Sequence, residues 1–198
     1  MIAQNDLILA SASPRRKELL SQIGVRFSVN PVDICEDVLE AEIPEDYVQR
    51  LAIEKAKVCF SLTDGRLPVL GSDTTVVFSG QILGKPTDEQ EAIATLMKLS
   101  GGVHEVLTAI AVVNAEQTLY SVVKTSVKFK TLTPEICRRY WKTGEPADKA
   151  GAYGIQGLGA VFVEEIKGSY SAVVGLPLCE TSALLQQAGV EIWHQDVV

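Results

Sequence analysis

Apolar positions recur along this chain in two periods, short runs or alternations that mark strands and three-to-four spacings that mark helices. The run Leu7-Ile8-Leu9-Ala10 predicts a buried strand. Ser13 follows as an N-cap and Pro14 fits the first helical position; Leu19, Leu20 and Ile23 form the apolar face, and Gly24 ends the helix. Residues 25–29 read as a second strand and residues 33–45 as an acidic loop. Pro44 opens a longer helix in which Val48, Leu51, Ala52, Ala56 and Cys59 share one face. A strand over 68–78 turns at Ser79-Gly80 into a short strand over 81–83.

Thr87-Asp88 caps a further helix, with Ile93, Leu96 and Met97 inward. Residues 106–114 are apolar on both faces, which predicts a central strand covered twice. Residues 120–132 alternate instead, with Val123, Val127 and Phe129 inward and Lys124, Ser126, Lys128 and Lys130 outward. Thr133-Pro134-Glu135 starts a helix that ends near Gly144. Residues 150–159 are glycine-rich; 160–166 and 170–174 suggest a hairpin; Pro177 starts a last helix closed by Gly189. Helices and strands mix along the whole chain, which predicts an α/β protein with a mixed sheet rather than a strict β-α-β repeat.

Composition narrows the function classes. At 198 residues the chain reads as one domain, or as two small lobes around one site. Its longest stretch without Asp, Glu, Lys or Arg is 14 residues, Ala150 to Val163, and contains four glycines; a helical membrane span needs ~20 apolar residues. The net charge of −7 disfavours nucleic-acid backbones and acidic membranes as partners, although local cations could still hold a small anion. The four cysteines form no C-x-x-C pair and no signal peptide opens the chain, so a reduced cytoplasm is expected.

Chemistry concentrates in a few segments. Ser11-Ala12-Ser13-Pro14-Arg15-Arg16 lies where a strand hands over to a helix, whose free N–H groups carry partial positive charge. Two arginines there suit a bound anion; a capped surface helix with solvated arginines is the alternative. Asp73, in Gly71-Ser72-Asp73-Thr74, interrupts an apolar strand and needs a partner, a metal or water. Lys85, Lys55 and Glu36 are candidate companions, since cations hold phosphates while carboxylates hold Mg²⁺ and activate water. By its place beside an apolar stripe, Lys55 alone reads as a solvated helix lysine. The glycine-dense segment 151–159 can approach a ligand closely or be a flexible loop, and Gln156 within it offers a donor and an acceptor to a base edge. His104 reads as structural or exposed, and Ser11 and Ser13 lack a visible general base.

Taken together, these blocks resemble the Maf family of nucleoside triphosphate pyrophosphatases, a family similar in fold to inosine triphosphatase. The resemblance runs through Leu9-Ala10-Ser11-Ala12-Ser13-Pro14-Arg15-Arg16, Glu54-Lys55-Ala56, Gly71-Ser72-Asp73-Thr74, Gly84-Lys85-Pro86, Asp148-Lys149-Ala150-Gly151-Ala152-Tyr153 and Val174-Gly175-Leu176-Pro177. Pro14-Arg15-Arg16, Asp73-Thr74 and Ile155-Gln156-Gly157 match the dTTP/UTP branch; the 7-methyl-GTP branch tends to carry Trp, Gln and Glu at the corresponding positions. Cys35 departs from that pattern where an acidic residue is frequent.

The resemblance implies a twisted mixed sheet flanked by helices in two lobes around a cleft, and cleavage of dTTP or UTP to the monophosphate and pyrophosphate. It implies that Ser11, Arg15, Arg16, Lys55 and Lys85 meet the triphosphate. Asp73 would be general base or metal ligand, Glu36 a second ligand for Mg²⁺ or Mn²⁺, and Thr74 and Gln156, with Arg15, readers of the base. A 7-methyl-GTP pyrophosphatase and a non-catalytic nucleotide-binding regulator of septum formation are the rival readings, and a homodimer is left open.

Overall fold

The computed structural model describes residues 5–194. Its elements are β1 (Leu7–Leu9), α1 (Pro14–Gln22), β2 (Phe27–Val29), α2 (Pro44–Ser61), β3 (Val69–Phe78), β4 (Gln81–Leu83), α3 (Glu89–Leu99), β5 (Val103–Val113), β6 (Thr118–Phe129), α4 (Pro134–Trp141), β7 (Val163–Lys167), α5 (Tyr170–Val174) and α6 (Leu178–Gln187). The strands follow the order β2-β1-β3-β5-β6-β7, with β4 paired to β3. The pairs β1–β2 and β1–β3 are parallel, whereas β3–β4 and β6–β7 are antiparallel. The sheet is therefore mixed, as the alternation of hairpins and helices predicts.

Two compact units divide the chain. One comprises the sequence up to Asp73, Thr108–Val123 and the sequence from Gly175 onward; the other comprises Thr74–Leu107 and Lys124–Val174. In the first unit Leu7, Leu9, Leu20, Leu51, Leu70 and Leu176 are buried. Helix α2 lays its small residues against β3 at Gly71. A Cβ there would stand 2.3 Å from the Ala52 carbonyl oxygen and 2.8 Å from the Ala56 nitrogen. Helix and strand approach this closely because position 71 has no side chain and positions 52 and 56 carry only methyls.

The second unit packs on an aromatic group, Phe129, Tyr140, Tyr153 and Phe162, with edge-to-face contacts at 4.7–5.9 Å. His104 joins it, 1% exposed, with its ring 4.8 Å from Phe129 and Nε2 2.8 Å from the Tyr153 hydroxyl. Its Nδ1 has no hydrogen-bond partner among the described residues. Burial pushes the imidazole down to about 4. His104 is thus a neutral core residue, the structural one of its two expected roles. Helix α3 starts as its sequence predicts, with the Asp88 carboxylate accepting from the Glu91 nitrogen at 2.8 Å.

One predicted element differs. The hairpin expected over 160–166 and 170–174 is a 3₁₀ turn (Leu158–Phe162), the strand β7 and the short helix α5. Ser169 decides this locally. Its Oγ accepts from the Ala172 nitrogen at 3.2 Å and its carbonyl accepts from Val173 at 3.2 Å, so the backbone coils after Gly168 instead of returning as a strand.

Gly71→Ala should lower the thermal midpoint, because overpacking a close helix–strand contact costs ~1–3 kcal/mol. Gly84→Ala, where an added Cβ meets nothing within 4 Å, is the control. Equal melting of the two variants would refute the close-approach account. A second expectation concerns acid. The folded state holds His104 neutral, so its stabilising contribution is complete above the ordinary histidine pKa of ~6.5 and is lost as pH falls toward about 4. The loss is on the order of 3 kcal/mol. His104→Gln should therefore flatten the decline of melting temperature between these pH values, and a parallel decline in the variant would count against it.

Candidate active site

The first unit assembles an ionic cluster beside the turn that follows β1 and the middle of β3. Asp73 is 8% exposed in the middle of β3, in a strand that also buries Val69, Leu70, Val76 and Val77. Alternation along β3 puts Gly71 and Asp73 on the same face, the one that α2 covers. Lys55 lies between Ala52 and Ala56 in α2, so the close contact at Gly71 carries its ammonium over the carboxylate. Lys55 Nζ lies 2.7 Å from Asp73 Oδ1 and 2.6 Å from Glu36 Oε1. Its side chain is only 12% exposed, so the solvated lysine expected from helical spacing is instead a bridge between two carboxylates.

Arg16 is the second cation. It does not lie free in solvent: Nε donates to the Gly175 carbonyl at 2.9 Å and Nη1 to Ser11 Oγ at 3.2 Å. The same Gly175 carbonyl accepts from Ser72 Oγ at 3.0 Å. Ser13 caps α1, its Oγ accepting from the Arg16 nitrogen at 3.5 Å, and Ser11 Oγ also accepts from the Ser13 nitrogen at 3.3 Å. The strand-to-helix turn is therefore tied to both β3 and the segment before α6. Of the two readings of this segment, solvated arginines do not describe Arg16. Arg15 is partly exposed.

The electrostatics follow from burial. Desolvation raises the Asp73 carboxyl above the ordinary carboxylate range; the charges of Lys55 and Arg16 pull it down without cancelling that effect, and Glu36 adds to it. Desolvation lowers the Arg16 guanidinium from its usual value while Asp73 opposes it. Asp73 is thus a carboxylate whose charge the protein compensates only in part. Such a group binds a cation or takes a proton readily.

Glu36 sits on the exposed acidic loop, with 49% of its side chain accessible. Two residues of α2, which sequence reading did not single out, hold that loop. The Tyr47 hydroxyl donates to the Glu36 carbonyl at 3.0 Å. Arg50 donates to both Glu42 carboxylate oxygens at 2.6 and 2.8 Å and to the Asp37 carbonyl at 3.0 Å. The Arg50 hydrogen bonds hold the Glu42 carboxyl at about 2. Desolvation, with Asp73 and Glu36 nearby, pushes the Tyr47 hydroxyl up to about 12. Tyr47, Arg50 and Glu54 recur at spacings of three and four, so a polar stripe opposite the apolar one was the available signal. Gly175, whose carbonyl accepts from Arg16, and Ser72, which donates to the same carbonyl, were also missed, because these contacts span long sequence separations.

Ser11, Arg16, Glu36, Lys55 and Asp73 are thus gathered within one unit. Thr74, half-buried, follows Asp73 in β3 and belongs with Lys85 and Gln156 to the other unit. Lys85 is exposed in the bend after β4, where the Gly84 carbonyl accepts from the Gly151 nitrogen at 3.1 Å. Gln156 is exposed in the glycine-dense segment. Among the described residues, no group of three or more His, Cys, Asp and Glu side chains could hold a metal ion. Asp73 and Glu36, which share Lys55, are the carboxylates that could offer oxygen donors to a hard cation.

Known proteins place these residues in context. A family model described as Maf-like protein matches residues 6–188. A dTTP/UTP pyrophosphatase of Hahella chejuensis is 52% identical over 189 residues, 94% of either chain. One from Pseudoalteromonas translucida is 56% identical over 182 residues, covering 92% of this chain and 96% of the relative. Among solved structures, the Staphylococcus aureus Ham1 protein aligns with a TM-score of 0.44 at 14% identity, over 62% of this chain and 71% of that one. With nearly its whole length matched, the chain belongs to the Maf-like proteins.

Proposed function

We propose that this protein is a nucleoside triphosphate pyrophosphatase that cleaves dTTP and UTP between the α- and β-phosphates, releasing the monophosphate and pyrophosphate. The observation that carries the reading is the Glu36–Lys55–Asp73 bridge beside Arg16, in a chain more than half identical to relatives bearing that activity in their names. A sensor of nucleotides needs cations for phosphate. It does not need a buried, undercompensated carboxylate next to them, which is costly to keep.

Arg16 and Lys55 present positive charge to the triphosphate, with Arg15 and Lys85 as further phosphate ligands and Ser11 as a hydroxyl partner. Lys55 also keeps the two carboxylates from repelling each other before substrate arrives. Asp73, with its raised pKa, accepts the proton of the attacking water; the α–β anhydride bond breaks and pyrophosphate departs with the electron pair. Asp73 and Glu36 fit a divalent cation, Mg²⁺ or Mn²⁺, which when bound neutralises phosphate charge. Thr74, Arg15 and Gln156 select the base. Gln156 complements the N3–H donor and flanking carbonyls of uracil or thymine with its own acceptor and donor. Four free cysteines, two of them exposed, support a place in the reducing cytoplasm. No helix among the described residues is long and apolar enough to cross a membrane.

Incubation with a nucleotide panel in Mg²⁺ tests the reaction. UTP and dTTP should yield UMP and dTMP with pyrophosphate as first products; UDP with phosphate, or a preference for 7-methyl-GTP, would overturn the reading. Asp73→Asn should remain folded and lose ~10²–10⁴-fold in rate, the range for a lost general base. Its thermal midpoint at pH 7 should not fall, since the raised folded-state pKa means that the ionised carboxylate opposes folding above that pKa. A folded variant within about threefold of wild-type turnover, well below that range, would remove Asp73 from the chemistry.

A further inference from the structure

The glycine-dense segment around Gln156 wraps around a carboxylate of the protein itself. Glu145 Oε1 accepts from the Gly159 nitrogen at 3.0 Å and from the Tyr140 hydroxyl at 2.6 Å, and Oε2 accepts from the Leu158 nitrogen at 2.7 Å. The Tyr140 oxygen in turn accepts from the Gly154 nitrogen at 3.1 Å. The arc 154–159 is thus held on both sides of Gln156 by one acid–phenol pair. Its glycines make room for that pair. A Cβ at position 157 would lie 2.2 Å from Glu145 Oε2, and one at 159 would lie 2.6 Å from the Tyr140 oxygen.

The pair is itself anchored. Tyr140 is buried with its ring edge-on to Phe162 at 5.0 Å, and the Glu145 nitrogen donates to Thr143 Oγ1 at 3.3 Å. Three donors on one carboxylate make charge-assisted bonds, stronger than neutral ones. Burial pushes the Glu145 carboxyl up, but the bonds from Tyr140, Gly159 and Leu158 outweigh it and leave the group below its ordinary value. The clamp is therefore ionised near neutrality. Ile155, next to Gln156 in this arc, is buried.

We propose that Tyr140 and Glu145 are positioning residues for nucleobase selection, clamping the segment 154–159 so that Gln156 is presented in one geometry to uracil or thymine. This rests on the reading of Gln156 as a base contact. A side chain on an unclamped glycine-rich arc would have to be ordered at each binding event, and its discrimination would shrink by that entropy.

Two measurements test it, on the full chain. Amide exchange followed by NMR should speed at Gly154, Leu158 and Gly159 in Glu145→Gln, and at Gly154 in Tyr140→Phe, which keeps the buried ring if the first variant folds poorly. The ratio of kcat/KM for UTP to that for 7-methyl-GTP should fall about tenfold in each, the size of one lost hydrogen bond. In the double variant Glu145→Gln/Gln156→Ala the ratio should equal that of Gln156→Ala alone, because the clamp acts through Gln156. A merely structural role would lower stability and both kcat/KM values together and leave the ratio alone. Unchanged exchange, or additive losses in the double variant, overturns the proposal. A lowered ratio in Gln156→Ala with wild-type ratios in both clamp variants overturns the positioning role alone. An unchanged ratio in Gln156→Ala overturns the base-contact reading and the proposal with it.

Discussion

The contact between α2 and β3 at Gly71 is the constraint on which the rest of the site depends. A helix normally stands off a sheet by the width of its side chains. Here the missing side chain at 71 and the methyls at 52 and 56 let backbone meet backbone, with an added Cβ only 2.3 Å from a carbonyl oxygen. That proximity brings the Lys55 ammonium to 2.7 Å from Asp73, two residues along the same face of the strand. The catalytic candidates are thus a consequence of core packing.

The ionic cluster shows how a buried carboxylate is kept without being silenced. Full compensation of Asp73 would hold its pKa low and leave it a poor base. Desolvation alone would raise it further. Lys55 and Arg16 oppose the desolvation incompletely, and Lys55 divides its attention with Glu36. The result is a buried carboxylate whose charge is only partly offset, a state that favours taking up a cation or a proton. Arg16, Tyr47 and Arg50 serve this balance by fixing what surrounds it. Arg16 is tied to Gly175, and the other two tether the acidic loop that carries Glu36.

The second unit solves a different problem, presenting a polar side chain from a loop without leaving the loop free. An internal acid and phenol take up the backbone donors on either side of Gln156, and glycine is required where their oxygens press against the chain. Glycine density therefore reports close approach here, but the approaching group belongs to the protein.

Local sequence determined most of the elements. The N-caps at Ser13, Asp88 and Thr133, the small apolar stripe of α2 and the alternation of β6 needed only neighbouring residues, because capping and amphipathicity are short-range. It went astray at Tyr170–Val174, where apolar, β-branched residues suggest a strand and one serine hydroxyl turns the chain into a helix. Family resemblance singled out Arg16, Lys55, Asp73 and Lys85 as candidates for chemistry. What only the tertiary structure decided is which of these groups meet. Lys55 is solvated by its helical spacing and buried by its packing; Arg16 is on a surface helix by its neighbours and bound to Gly175 by the fold; a glycine-rich run is flexible by composition and clamped by Glu145. In each case the deciding partner is distant in sequence or hidden among ordinary polar residues, and burial and charge depend on distances that only the folded chain sets.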